Sequence, residues 1–171
     1  LLQVGLKVMS AELDSLYQEI ILDHYKHPHH KGLREPFEAE VHHVNPTCGD
    51  EVTLRVHLDD RTVTDVSYDA VGCSISQASA SVMADLLIGK SVDEAMGVHE
   101  TFLALMQGKG QVAPDEDVLE DGIAFAGVAY YYKRKIAGIF YTIGVQHKTA
   151  GRGLWIYCFY HGLPPTIGSV G

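Results

Sequence analysis

Glu51-Val52-Thr53-Leu54-Arg55-Val56-His57-Leu58 alternates apolar and polar side chains, Asp59-Asp60-Arg61 supplies a turn, and Val66-Ser67-Tyr68-Asp69-Ala70 alternates again into Gly72-Cys73. A period of two describes strands with one buried face. Upstream, Val41 to Asn45 reads as a third strand, and three neighbouring strands joined by short turns predict an antiparallel meander. Immediately after Cys73 the period becomes helical, with Ile75, Ala78, Ser79, Val82, Met83, Leu86 and Leu87 on one face and Gly89 as the C′ residue. Ser91-Val92-Asp93-Glu94 is a capping box for a third helix, which Gly108-Lys109-Gly110 ends. Residues from Pro114 to Asp121 read as a loop before a last helical stretch from about Ile123. At the other end Ser10 is an N-cap for a first helix, with Glu12 and Asp14 in its first turn. Its apolar stripe is Leu13, Leu16, Tyr17, Ile20 and Ile21, and it closes near Tyr25 because the residue before Pro28 disfavours the α region. Strands followed by helices, without βαβ alternation, give an α+β class: a small antiparallel three-stranded sheet packed against several α-helices.

At 171 residues one domain with a real core is expected, and 46% hydrophobic with 20% charged residues is an ordinary globular composition. The formal net charge of −9 argues against nucleic acid as a partner. That average conceals a split. Residues 1–129 carry 8 basic and 22 acidic groups, net −14, whereas residues 130–171 carry 5 basic and no acidic groups and six of the nine tyrosines. Three cysteines, Cys48, Cys73 and Cys158, are too few for a disulfide-stapled fold and point to a reducing, cytoplasmic setting. No run of 18 apolar residues exists for a membrane helix. Met9-Ser10 reads as an alternative start, which makes residues 1–9 an N-terminal extension.

Two short stretches carry chemistry. Asn45-Pro46-Thr47-Cys48-Gly49-Asp50 lies between two strands, and Pro46 and Gly49 make it a turn from which Cys48 and Asp50 both project. Thiolate and carboxylate are both zinc ligands. Cys73 stands at a helix N-terminus, where unpaired N–H groups and the helix dipole favour the thiolate, the form that binds metal or attacks sulfur. The plainer reading of Cys73 is a small buried hydrophobe. For Cys48, in a polar turn, a metal or redox role stands level with a structural one. No C-x-x-C is present.

Asp23-His24-Tyr25-Lys26-His27-Pro28, Asn45-Pro46-Thr47-Cys48-Gly49-Asp50 and Gly72-Cys73-Ser74-Ile75-Ser76-Gln77-Ala78-Ser79-Ala80-Ser81 closely resemble the iron–sulfur cluster assembly proteins of the IscU/SufU family over roughly residues 10–129. Gly89-Lys90-Ser91, followed by a helix and an acidic loop, resembles the insertion of the SufU branch. The resemblance implies a zinc-bound acceptor that takes persulfide sulfur from a cysteine desulfurase of SufS type and serves downstream iron–sulfur assembly proteins. The implied ligands are Cys48, Asp50 and Cys73, with Cys48 the sulfur acceptor. A scaffold for a [2Fe–2S] cluster on the same residues, and a desulfurase-binding regulatory module with an incomplete metal site, are the alternatives. His24, His27 and His29 match the family's desulfurase-facing N-terminal region, so partner contact is expected of them, with a structural metal as the weaker alternative.

The resemblance breaks in the last helix. Where SufU-type proteins continue with Lys-Tyr-Pro-x-Arg-x-Lys-Cys, this chain reads Tyr130-Tyr131-Tyr132-Lys133-Arg134-Lys135-Ile136-Ala137, so Ala137 takes the place of the third ligand cysteine. Cys158 lies in the apolar run Trp155-Ile156-Tyr157-Cys158-Phe159-Tyr160, whose default is a buried or strand-like cysteine. It is nevertheless the remaining thiol candidate for a fourth ligand, ahead of His147 and His161. Leu163-Pro164-Pro165 matches the chaperone site of the IscU branch only superficially, since no cysteine follows it. The expected organisation is an extension at 1–9, an IscU/SufU-like domain at 10–137 and an atypical C-terminal segment at 138–171. Loss of all acidic residues where the family pattern ends is what an altered reading frame or a divergent replacement of the C-terminus would produce.

Overall fold

The computed structural model describes residues 2–44, 49–108, 111–131 and the strands within 142–168, with side chains described between Leu13 and Val128. Helix α1 spans Leu2–Lys26. It is followed by strands β1 (Ala39–Val44), β2 (Glu51–Asp59) and β3 (Thr62–Val71). Helices α2 (Ser74–Leu87) and α3 (Val92–Gln107) come next, then the short α4 (Glu116–Leu119), a 3₁₀ turn over Glu120–Ala124 and α5 (Phe125–Tyr131). A second antiparallel sheet, β4 (Thr142–His147), β5 (Leu154–Phe159) and β6 (Thr166–Gly168), has β5 in its centre.

The first sheet is the expected meander, in the order β1-β2-β3 and antiparallel throughout. Leu54 pairs with Val41 and Tyr68, and the β2–β3 register shifts between His57 and Leu58. Val52, Leu54 and Val56 are buried while the residues between them are half-buried. Val66, Tyr68 and Ala70 of β3 join them, and this face meets Ala78, Val82 and Leu86 of α2 and Phe102 and Leu105 of α3 in one core. Phe102 and Phe125 meet edge to face with centroids 5.7 Å apart, which brings α5 onto α3. Helix α2 carries small residues, Ala78, Ser79 and Ser81, on buried positions, and small side chains let α1 pack closely on it.

The punctuation acts as the residue types predict. Asp60 takes a positive φ of 54° in the β2–β3 turn, and Gly89 takes 84° just after α2. There Gly89 N–H donates to Val63 O and Val63 N–H to Lys90 O, fastening the α2–α3 connection to β3. The Ser91–Glu94 capping box is complete on both sides.

Three expectations change. Helix α1 does not start at Ser10 but runs back to Leu2, because residues 2–9 hold no proline and a serine inside a helix is tolerated. Its buried stripe also begins later: Leu13 and Leu16 are exposed, while Tyr17, Ile20 and Ile21 pack on the core. The stretch from Pro114 to Asp121 is not all loop, since Asp115 caps a helical turn by accepting from Val118 N–H.

Candidate metal centre

The end of the sheet nearest α2 brings the two motifs together. Glu51 opens β2 opposite Val71, so Asp50 lies beside Gly72 and Cys73, the residues that turn the chain from β3 into α2. Cys73 is the N-cap of α2, with extended backbone angles, and its Sγ accepts from Ser76 N–H at 3.4 Å. This is the role a serine or aspartate ordinarily fills. It keeps the sulfur at the positive end of the helix dipole, and the residue is exposed.

Asp50 is buried, only 4% exposed, and its Oδ1 accepts from Cys73 N–H at 3.3 Å. A Cβ at Gly72 would come within 2.6 Å of Asp50 Cγ and Oδ1, so glycine is what admits this carboxylate. Gln77 Nε2–H donates to Gly72 O at 2.8 Å and closes the turn from the helix side. Gly49, at φ 74°, takes a left-handed conformation that glycine adopts at no steric cost. A thiol sulfur and a buried carboxylate thus share one turn, and this donor set fits zinc. Cys48 lies outside the described residues, as do Ala137, His161 and the side chains of Cys158 and His147. Cys158 occupies the central strand β5, opposite Ile143 and Thr166, in agreement with a strand-like cysteine.

The histidines of the α1 end separate by depth. His24, expected at a partner surface, is only 3% exposed, because it continues the buried stripe of Tyr17, Ile20 and Ile21. One face of its ring, through Nδ1, meets Ser81 Oγ at 2.9 Å, and Nε2 meets Asp121 Oδ2 at 3.2 Å. His27 and His29 are on the surface, bonded to Asp23 and Asp85 respectively. Asp85 also holds His30, through Nε2 to Oδ1 at 3.0 Å. Asp85, Ser81 and Asp121 were not singled out by sequence reasoning, although a charged residue at position 85 interrupts an otherwise apolar stretch of α2.

On the other side of the segment that follows α1, Arg34 grips Asp65 through Nε and Nη2 at 2.8 and 2.6 Å. That pairing lowers the Asp65 carboxyl pKa and raises that of the Arg34 guanidinium. His43 on β1 is pushed down by partial burial and by the neighbouring His42.

Residues 16–137 match the family described as NifU-like N terminal domain. The chain belongs to that family. This NifU-like chain is 40% identical over 124 residues to the iron-sulfur cluster assembly scaffold protein IscU of Streptococcus pyogenes serotype M1, covering 72% of this chain and 76% of that protein. It is 43% identical over 101 residues to the zinc-dependent sulfurtransferase SufU of Bacillus subtilis, covering 58% and 67%. Among solved structures, a putative iron-sulfur cluster assembly scaffold protein for the SUF system from Fervidobacterium islandicum superposes with a TM-score of 0.60 at 36% identity, covering 66% of this chain and 81% of that one. The three-stranded sheet with its helices is therefore the IscU/SufU-like fold expected from the motifs. No helix among the described residues is long and apolar enough to cross a membrane.

Proposed function

We propose that the chain is a sulfur acceptor of iron–sulfur cluster assembly, acting in the cytoplasm, which receives persulfide sulfur on Cys48 from a cysteine desulfurase of SufS type and passes it to downstream assembly proteins. The observation that carries this reading is the joined turn of Asp50, Gly72 and Cys73, where a buried carboxylate meets a helix-capping thiol. Cys48, Asp50 and Cys73 would hold zinc, with Cys158 or a group from the partner as the remaining donor. Zinc bound there would keep the thiolates deprotonated while subduing their reactivity.

The sulfur step is the work of Cys48. Its thiolate attacks the outer sulfur of the desulfurase persulfide, the S–S bond of that persulfide breaks, and the desulfurase cysteine leaves as a thiolate. Cys48 then carries the persulfide, and no outside oxidant or reductant is consumed. Asp50 and Cys73 fix the neighbouring polar groups. Val44 and Val71, both opposite Glu51 in register and 45% and 67% exposed, offer an apolar rim to the docking partner. His27 and His29 extend that contact surface on the α1 side.

Cys48→Ala tests the reading: stimulation of the partner desulfurase should be lost while the thermal melt stays within a few degrees of wild type. Retention of full stimulation would refute it. The similarity to a protein named as a scaffold supports a second reading, assembly of a [2Fe–2S] cluster on the same residues. Reconstitution with iron, cysteine and desulfurase separates the two, because only a scaffold develops a cluster chromophore that transfers to an apoprotein.

A further inference from the structure

We infer that His24, His29 and Asp85 form a second metal site, distinct from the thiolate centre, for an exchangeable divalent first-row ion that prefers nitrogen and oxygen, such as zinc or cobalt(II). Three elements converge there: α1 supplies His24, the segment after it His29, and α2 Asp85. One ligand atom from each lies within 4.8 Å of the other two. The His24 and His29 rings are 4.8 Å apart and tilted by 58°, so they converge rather than stack. Metal–nitrogen and metal–oxygen bonds of about 2.1 Å place tetrahedral ligands about 3.4 Å apart, so the widest separation must close by up to about 1.4 Å while the His29–Asp85 contact, now 2.6 Å, opens. His29 and Asp85 are on the surface side, bonded to one another, and are the pair with room to adjust, whereas His24 is fixed in the interior.

The outer shell of such a site is already built. A carboxylate only accepts, so in the neutral ring the bond to Asp121 puts the His24 proton on Nε2 and leaves Nδ1, turned toward α2, to accept from the Ser81 hydroxyl, a bond that an arriving metal replaces. Carboxylate, imidazole and metal in series is the arrangement that orients ligating histidines and raises their basicity. Ser81, one turn before Asp85, accepts from His29 N–H at 2.8 Å and so places the second imidazole. His30 holds the other oxygen of Asp85. Among the described ion pairs Asp85 and Asp121 meet only imidazoles, with no lysine or arginine to neutralise them. A cation bound between the rings supplies that charge. Two imidazoles and one carboxylate suit divalent first-row ions, and three protein ligands leave positions for water, which makes the ion exchangeable.

The test is a titration of the metal-stripped full chain, with cobalt(II) followed by absorbance and zinc by calorimetry. Two equivalents should bind, one with thiolate-to-cobalt charge-transfer bands and one with ligand-field bands alone. His29→Asn and Asp85→Asn should each weaken the second equivalent by at least about tenfold and leave the first unchanged, with His57→Asn leaving both. Both altered side chains are on the surface, and a thermal melt of each variant confirms that it folds. A second equivalent seen without the first supports this site while counting against the thiolate centre. A single equivalent with charge-transfer bands, or a second one that keeps its affinity in both variants, overturns the site.

Discussion

Gly72 sets how close a carboxylate can come to the start of α2. Asp50 is buried, so it has little room to turn away from a methyl group placed 2.6 Å from its Cγ. Gly72→Ala should therefore cost about 1–3 kcal/mol, the range for overpacking a filled site. It should also lower zinc content per chain, measured by elemental analysis beside the thermal melt. An unchanged melt with full zinc would show that Asp50 does not need this space. Cys73 as helix cap and Gly49 as turn residue were legible from residue type and neighbours. The demand on Gly72 was not, because it arises from a residue 22 positions earlier that only strand pairing brings alongside. His24 was legible in part: the spacing Tyr17, Ile20, Ile21, His24 continues one face of α1, but a polar residue type hid its burial.

Among the elements, β2, α2 and α3 follow from periodicity and capping within a residue or two, since each has one buried face and a definite stop signal, whereas β3 starts at Thr62, ahead of the alternation at Val66. The segment between α1 and β1 has neither, and long-range hydrogen bonds hold it instead. Gly32 N–H donates to Tyr68 O, Tyr68 N–H to His30 O, and Arg34 forks onto Asp65 while also donating to Val66 O. No sequence period encodes such ties. Asp65→Asn should cost about 1 kcal/mol, kept small because both side chains are partly in water. Hydrogen exchange should quicken first at Gly32 and Arg34 rather than in α2 or α3. Uniform quickening across the core would mean that the fork supports the whole fold instead of this segment. The Asp65 contribution belongs to the acid range. Its folded-state pKa lies below the unfolded value, so the stability is present above that value and is lost as pH falls through the folded one.

At the scale of the molecule, the net charge of −9 describes two unlike parts, a −14 stretch that holds the family match through most of its length and a +5 remainder. The acidic part also holds eight of the ten histidines, the side chains whose ordinary pKa lies nearest neutrality, whereas carboxylates are ionised throughout that range. Buried His99 on α3 is the clearest case. Burial lowers its pKa, with Glu100 opposing only weakly. The unfolded chain then binds a proton that the folded chain does not, so stability is full above the unfolded value of about 6.5 and declines as pH falls from there toward the folded pKa. Melting temperatures recorded from pH 7.5 to pH 5 should therefore fall, and His99→Gln, which cannot titrate, should flatten part of that slope even if it melts lower at pH 7.5. A slope identical in wild type and variant would show that His99 does not carry the acid sensitivity.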